Sequence, residues 1–433
     1  MRKNKIDIIS LGCSKNLVDS EHLIRQFQAN GYSVEHNPSR VDGEIVVVNT
    51  CGFIRDAQEE SIDMILELGR AKKEGKIKKL FVMGCLAERF MAQLIDELPE
   101  VDKFYGKFNW KEMLNDLCKS YKEDLSSERY LTTPKHYAYL KISEGCNRFC
   151  AFCAIPLITG RHKSVPMDTL LNEVKHLVSQ GVKEFNVIAQ DLSSYGLDLY
   201  GKMMLPELID QMAQIEGVEW IRLHYAYPTQ FPYDILPVMA KHDNVCKYLD
   251  IALQHSSDKV LNNMQRHITK AETIELIKRI RKEVPGIHIR TTLMVGFPGE
   301  GEEEFNDLVD FVEEMRFERM GAFAYSEEEG TFAAKHFDDI IPEDVKADRL
   351  DKIMEIQEEI SNEIQSKKVG NVYKVIIDSV DEMYYSGRTE WDSPEVDPEV
   401  LIPVENSKLE IGNFYQVEIT DATPFELFGK VVG

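Results

Sequence analysis

The stretch "SEGCNRFCAFCAIP", Ser143–Pro156, holds Cys146, Cys150 and Cys153, three thiols within eight residues and no fourth close by. It continues a strand-like run, "YAYLKIS" (137–143), and what comes after it decides the fold. Further β-branched runs recur downstream: "KEFNVIAQ", "WIRLHYA", "KYLDIALQ", "GIHIRTTLMVG" and "RMGAFAYS". Between them lie stretches with helical apolar spacing, among them "MDTLLNEVKHLVSQG", "LPELIDQMAQIEG" and "EEEFNDLVDFVEEMR". Strands alternating with helices imply a parallel sheet. About six such repeats are too few for a closed eight-fold barrel, so the expected body is an open, partial (β/α)6 barrel of TIM-like type.

Working outward, the N-terminal part repeats the same grammar. "KIDIISLGC" (5–13), "GEIVVVNTC" (43–51) and "KKLFVMGC" (78–85) read as strands, each followed by a helical pattern. This unit is expected to end near "SSERYLTTPKHY", where polar residues and Pro134 break the pattern. A long charged helix is predicted from Pro342 to about Lys368. Beyond Val369 the chain changes to short strands with turn residues between them, "VYKVIIDSV", "MYYSGRTEW", "VLIPVE" and "FYQVEITDA". That is the pattern of a small antiparallel β-barrel of the oligonucleotide-binding type. The expected organisation is α/β throughout: a parallel-sheet domain over 1–132, the partial barrel over 133–366 and the small barrel over 367–433.

The chain has 433 residues, 43% of them hydrophobic, enough for more than one core. No apolar run has the length of a membrane span, and "MRKNKIDIIS" lacks a cleavable leader, so a cytoplasmic protein is expected. Its eight cysteines, in a reducing compartment, point to metal or redox chemistry rather than disulfides. The formal charge of −23 argues against a broad nucleic-acid surface and favours a cationic partner or plain solubility.

A structural zinc site takes four protein ligands as a rule, and a cubane cluster has four irons to ligate. Three cysteines therefore leave one iron open for a non-protein ligand; a three-cysteine zinc site completed by a distant His is the bland alternative. A second constellation is spread along the chain. Cys13, Cys51 and Cys85 each stand at the C-terminal end of a predicted parallel strand, flanked by Gly12, Gly52 and Gly84. In open parallel sheets ligands bind outside those ends, and glycines let the backbone approach a bulky group. Three unrelated buried thiols are the alternative there. Cys118 and Cys246 lack partner spacing and read as inert core thiols.

The spacing Cys146-x3-Cys150-x2-Cys153 resembles the signature of the radical S-adenosylmethionine superfamily. "LGCSKNLVDSE", "VVVNTCGFIRDAQEES", "VMGCLAERF" and "LKISEGCNRFCAFCAIPLITGRHKSVP" resemble the methylthiotransferases over nearly the whole chain. The resemblance implies a C-terminal TRAM domain and two [4Fe-4S] clusters, an auxiliary one on Cys13, Cys51 and Cys85 and a radical-generating one on Cys146, Cys150 and Cys153. It implies S-adenosylmethionine bound at the second cluster's open iron, with Phe152 near the adenine, and an electron donor; the sulfur source stays unknown. Ser14 and Lys15 after the first cysteine, "AQDLSSYG" and "GRTEWDSPEVD" look like the branch that modifies the β-carbon of an aspartate in ribosomal protein S-twelve. A tRNA-adenosine branch and a non-enzymatic iron–sulfur or nucleic-acid-binding protein are the rival readings.

Polar residues at predicted barrel-strand ends form a second tier: Gln190, Asp191, His224, Tyr225, Gln254, His255 and Arg290, with Gln190, Gln254 and Arg290 as candidate contacts to S-adenosylmethionine. Loop structure or helix capping explains any one of them equally well. "VGFPGE" (295–300) resembles a turn that brings backbone close to a ligand. From Ser366 onward, thirteen Asp and Glu stand against six Lys and Arg. The acids Glu390, Asp392, Glu395, Asp397 and Glu399 are therefore expected to form a surface that attracts a basic protein, on a barrel far along the chain from both cysteine triplets.

Overall fold

In the run Ile45–Val48 every side chain is buried, so the strand shows no face to water. A strand of that kind belongs in a parallel sheet covered by helices on both sides. The computed structural model describes residues 2–432 except Phe108, Cys118 and Ser407; the expectation for Cys118 thus lies outside the described residues. Its first sheet uses β1 (Arg2–Ser10), β2 (Ser33–His36), β3 (Gly43–Thr50), β4 (Lys79–Gly84) and β5 (Lys103–Phe104). All pairs are parallel and the order is β2-β1-β3-β4-β5. Helices α1 (Ser14–Ala29), α2 (Arg55–Lys73) and α3 (Cys85–Glu97) follow β1, β3 and β4. These are the three strands that lead into Cys13, Cys51 and Cys85, and they are neighbours in the sheet. The short strands β2 and β5 are additions to the sequence reading.

The second sheet has six parallel strands: β6 (Tyr137–Lys141), β9 (Glu184–Ile188), β10 (Trp220–Ala226), β11 (Val245–Ile251), β12 (His288–Val295) and β13 (Arg319–Ala324). A small antiparallel hairpin, β7 (Ser143–Glu144) with β8 (Lys163–Ser164), frames the cysteine loop. The six run in order from β6 to β13 without closing, as expected of a partial barrel. The helix Glu343–Ser366 lies along β13, and Ile353, Ile356 and Ile360 bury their side chains in the main core. At the other edge α1 packs on β6, with Val18 against Tyr137, Tyr139 and Ile188.

The third body is a closed barrel of β14 (Val372–Val380), β15 (Tyr384–Arg388), β16 (Glu399–Pro403), β17 (Phe414–Ala422) and β18 (Glu426–Val431). It is antiparallel as expected, with one parallel pairing where β16 meets β18. Ile376 and Phe414 dock on Trp220, Cys246 and Tyr248 of the six-stranded sheet. Cys246 is thus a fully buried core thiol, and burial pushes its pKa up to about 12.

The barrel is fastened by buried charge as well. Arg388 donates to Glu184 of β9 at 2.7 and 3.0 Å and to Asp378 at 2.6 and 2.9 Å. Arg319 pairs with Asp392 at 2.5 Å. Asp397 accepts from the Tyr248 hydroxyl at 2.9 Å and from the Ser393 amide at 2.9 Å.

Candidate functional site

The N-terminal triplet is assembled by strand register. Cys13 is the residue before α1, Cys51 follows β3, and Cys85 opens α3 directly after β4. Gly12 has φ +84°, and a Cβ there would stand 2.6 Å from Cys51 Cβ and 2.9 Å from its Sγ. Gly84 has φ +101°, and a Cβ there would meet the Thr50 carbonyl oxygen at 2.5 Å. The glycines are therefore required by close approach as well as by backbone conformation. Burial raises the thiol pKa of Cys51 and pushes Cys85 up to about 12. At Cys13 burial also acts upward, but the Lys15 charge and the Asn16 amide outweigh it and hold the thiol below its usual value.

The second triplet sits on the loop after β7. The Cys146 amide donates to Gly160 O at 3.2 Å, and Ala151 bridges Met264 and Ala333 by backbone bonds of 2.9 and 2.7 Å. Arg266 donates to Cys150 Sγ at 3.2 Å, and the Tyr227 hydroxyl lies 3.5 Å from the same sulfur. The guanidinium groups of Arg148 and Arg266 lie 4.3 and 4.1 Å from the centre of the Tyr227 ring, and Arg148 is held by Asp191 at 2.7 Å. Burial pushes Cys146 up to about 12 and raises Cys153 further.

The sulfur spacing bears on what each triplet can hold. A single tetrahedral zinc with bonds of about 2.3 Å needs its sulfurs ~3.8 Å apart. Among the described residues, one group of three or more Cys, His, Asp or Glu has ligand atoms all within 4.8 Å, and it is Asp7, Glu35 and Asp42. Neither cysteine triplet closes that far. Wide thiol triplets, the first set in a glycine cradle, fit a polynuclear iron–sulfur group better than one ion. Gln190 Oε1 and Gln254 Oε1 are buried without hydrogen-bond partners, so each has an acceptor to offer a ligand near these loops.

The segments that carry the two triplets meet. Cys85 packs against Ala154 and Ile158, immediately beyond Cys153. Beside this contact runs a buried charge network that sequence spacing could not reveal, since its members come from separate domains. Lys107 reaches Glu144 at 3.1 Å and Asp19 at 3.7 Å; Lys141 reaches Glu144 at 2.8 Å and also Asp19. Burial would raise the Glu144 pKa, but Lys141 and Lys107 outweigh it and hold it at about 2. Arg89 closes the same seam on Glu328 at 2.9 Å and on Gly52 O at 3.0 Å.

Next to Cys13 opens a cavity of about 270 Å³. Gly12, Cys13 and Ser14 line it from the first sheet, Tyr139, Ile188, His224, Tyr225, Asp250 and Arg290 from the partial barrel, and Ser393–Val396 from the loop between β15 and β16. That loop lies far along the chain from both triplets, yet the fold brings it to the wall of the cavity. Its acids are engaged within the protein: Asp392 and Asp397 are paired as above, Glu390 accepts from the Lys247 amide at 3.1 Å, and Glu395, though exposed, accepts from the Tyr137 and Tyr139 hydroxyls, both at 3.3 Å.

The second-tier residues separate. His224, Tyr225 and Arg290 share the Cys13 cavity, whereas Phe152 packs edge-on against Phe297 at 6.2 Å. Gln190 donates to Glu144, and Asp191 orients Arg148. His255 is fully buried against Glu300 at 2.9 Å, which Arg349 also holds at 2.7 Å. In the turn at 295–300, a Cβ on Gly296 would meet Lys346 Cγ at 2.5 Å, so this glycine makes room for a lysine side chain rather than for a ligand.

The uncharacterized protein family UPF0004 matches residues 5–106, the Radical SAM superfamily residues 140–312 and the TRAM domain residues 369–432. The ribosomal protein uS12 methylthiotransferase RimO of Parabacteroides distasonis is 64% identical over 432 residues, covering all of both chains. The chain belongs to the RimO family of methylthiotransferases. The Bacteroides thetaiotaomicron member is 63% identical, over all of this chain and 99% of its own. In fold, the radical S-adenosylmethionine methyltransferase TsrM of Kitasatospora setae resembles it with TM-score 0.57 at 13% identity, over 77% of each chain. The radical SAM match implies a [4Fe-4S] cluster and S-adenosylmethionine. No helix among the described residues is long and apolar enough to cross a membrane.

Proposed function

We propose that this protein inserts a methylthio group at the β-carbon of an aspartate of ribosomal protein uS12, using two [4Fe-4S] clusters and S-adenosylmethionine. The observation that carries this reading is the cavity at Cys13, walled by all three bodies of the fold, on a chain in which Cys85 of the first triplet packs against Ala154 and Ile158, just beyond the second. Cys146, Cys150 and Cys153 would hold one cluster and Cys13, Cys51 and Cys85 the other. When bound, the first supplies the electron that cleaves S-adenosylmethionine and the second offers sulfur. An unactivated C–H cannot be deprotonated readily by a side chain, which is why the reaction calls for radical chemistry.

The rest is the work of this chain's residues. The Arg148–Tyr227–Arg266 stack sets the Cys150 sulfur and places two cations beside the loop. Gln190 and Gln254 offer buried carbonyls, and Phe152 an aromatic face, for S-adenosylmethionine. The Glu144 network fixes one cysteine loop against the other, and the 393–396 loop supplies one wall of the cavity. The test is mass spectrometry of uS12 from cells with and without this gene. Replacement of one hydrogen by one methylthio group, present only with the gene, is expected. Unmodified uS12 together with methylthiolated tRNA would overturn the reading.

A further inference from the structure

A groove of about 450 Å³ opens between the helix Glu343–Ser366 and the C-terminal barrel. Asp351, Glu355 and Glu358 line it from one face of the helix, four and then three residues apart. Val396, from the loop between β15 and β16, and Phe425, from the turn between β17 and β18, line it from the barrel. Both are exposed apolar side chains, at 60% and 61%. The Ser361 hydroxyl donates to the Pro424 carbonyl at 2.7 Å and ties the helix to that turn. Arg290 and Val396 also line the Cys13 cavity, so groove and cavity meet at these two residues.

The cations of the groove are engaged: Arg290 lies 3.7 Å from Asp250 and 3.4 Å from Asp397, and Arg319 holds Asp392. Its acceptors are not. Asp351 and Glu358 are exposed and form no ion pair among the described residues, and Glu355 has Lys352 of its own helix at 3.4 Å. Gln357, which also lines the groove, is 4% exposed. Its Nε2 donates to the Phe317 carbonyl at 3.0 Å, while its Oε1 is buried and accepts from no donor among the described residues. A buried acceptor left unpaired is costly until a ligand supplies the donor. The open capacity here is thus for N–H groups and positive charge beside apolar surface. A peptide with Lys or Arg offers all three: charged heads for the acids, a backbone amide for Gln357 and alkyl stems for Val396 and Phe425. Nucleic acid does not, because its phosphates are repelled by the acids.

Resting on the function proposed above, we infer that this groove docks the stretch of uS12 beside the substrate aspartate. An extended segment bearing Lys or Arg lies along the helix face and passes Arg290 and Val396, which delivers the aspartate to the Cys13 cavity. From Asp351 to Ser361 the helix rises about 15 Å. That length takes about four or five residues of extended chain.

The test measures equilibrium binding of two synthetic peptides to reconstituted protein. One is the uS12 segment around the aspartate; the other has every Lys and Arg of that segment replaced by Gln. The wild type is expected to bind the native peptide more tightly. Asp351→Asn/Glu358→Gln should weaken the native peptide by about two- to thirty-fold, the weight of two exposed ion pairs, and leave the neutral peptide unchanged. Added salt should shrink the difference. Asp63→Asn/Glu67→Gln makes the same change in net charge on α2, none of whose residues lines the groove, and should bind both peptides as the wild type does. The inference is overturned if the wild type does not distinguish the peptides, if the groove variant keeps wild-type affinity or weakens both peptides equally, or if the α2 variant weakens the native peptide as much. Methylthiolation of uS12 by a wild type whose groove variant binds just as tightly would sink the groove and spare the function. A native peptide held through the groove of a protein that never modifies uS12 would do the reverse.

Discussion

Replacing Arg388 by Met should loosen the C-terminal barrel from the rest of the molecule. Arg388 is 2% exposed and makes four bonds to the carboxylates of Glu184 and Asp378, plus one of 3.1 Å to the Asp392 carbonyl. Glu184 is fully buried on β9, and after the change its remaining partner among the described side chains is Arg222 at 3.2 Å. Removing one member of a buried ion pair costs about 3–5 kcal/mol, because the other charge stays buried. If that cost falls on docking, the undocked population rises by roughly a hundred- to a few-thousand-fold. Amide hydrogen exchange reads this directly, since local opening sets protection. The loop 389–398 and the Trp220–Tyr248 contact region should exchange faster, while α2 and α3 keep their protection. Adding Glu184→Gln should recover part of the loss by removing the stranded charge. Unchanged protection in Arg388→Met would refute the claim that this network fastens the barrel.

Three further outcomes follow from the same geometry. Anaerobically reconstituted protein should hold about eight irons, four per cube, and Cys146→Ala/Cys150→Ala/Cys153→Ala should lose about half; a full complement in that variant would count against the assignment. Gly12→Ala puts a Cβ 2.6 Å from Cys51 Cβ at φ +84°, so it should lose iron from the first triplet with little change in far-ultraviolet circular dichroism, and normal iron content would contradict the cradle. Lys368→Met should alter the pH dependence of stability. Burial, then the Arg319 charge, push Lys368 down from 10.5 to about 7. Its cost to the fold is therefore full below about pH 7 and fades as pH rises toward 10.5, where the unfolded chain also releases the proton. The variant should be more stable than wild type near pH 7, by at most about 5 kcal/mol at about 1.4 kcal/mol per factor of ten, with the gap closing by pH 10. Parallel stability curves for the two proteins would show that Lys368 stays charged when folded.

The parts of the fold that could be read from sequence are those set by local periodicity. "GEIVVVNT" can only be a strand covered on both faces, and its return as β3 beside β1 and β4 places three cysteines on neighbouring strand ends. The same rule located the six strands of the partial barrel. Short edge strands such as β2 and β5 carry too few residues for a period to show. Of the site, the two triplets were visible because cysteine is rare and its spacing is informative. Lys107, Asp19 and Glu144 were not, because each is an ordinary charged residue until three separate segments bring them together. Arg266 and Tyr227 lie far along the chain from Cys150, and no pattern near that loop names them.

Charge counting reads this surface only in part, for a related reason. A sum over residues treats every acid as facing water, but an acid opposite a buried arginine contributes nothing to the outer field. Asp392 faces Arg319, Asp397 lies beside Arg290, and Asp378 binds Arg388. These acids hold the barrel in place and shape the wall of the Cys13 cavity, so neutralising them would move the cavity before it changed any long-range attraction. The acids free to attract a basic protein are those left exposed at the barrel's rim, among them Asp381, Glu382, Glu399 and Glu426. Such rim charges act on the rate of encounter and are screened by salt, whereas recognition of the aspartate itself must come from a partner the salt cannot reach.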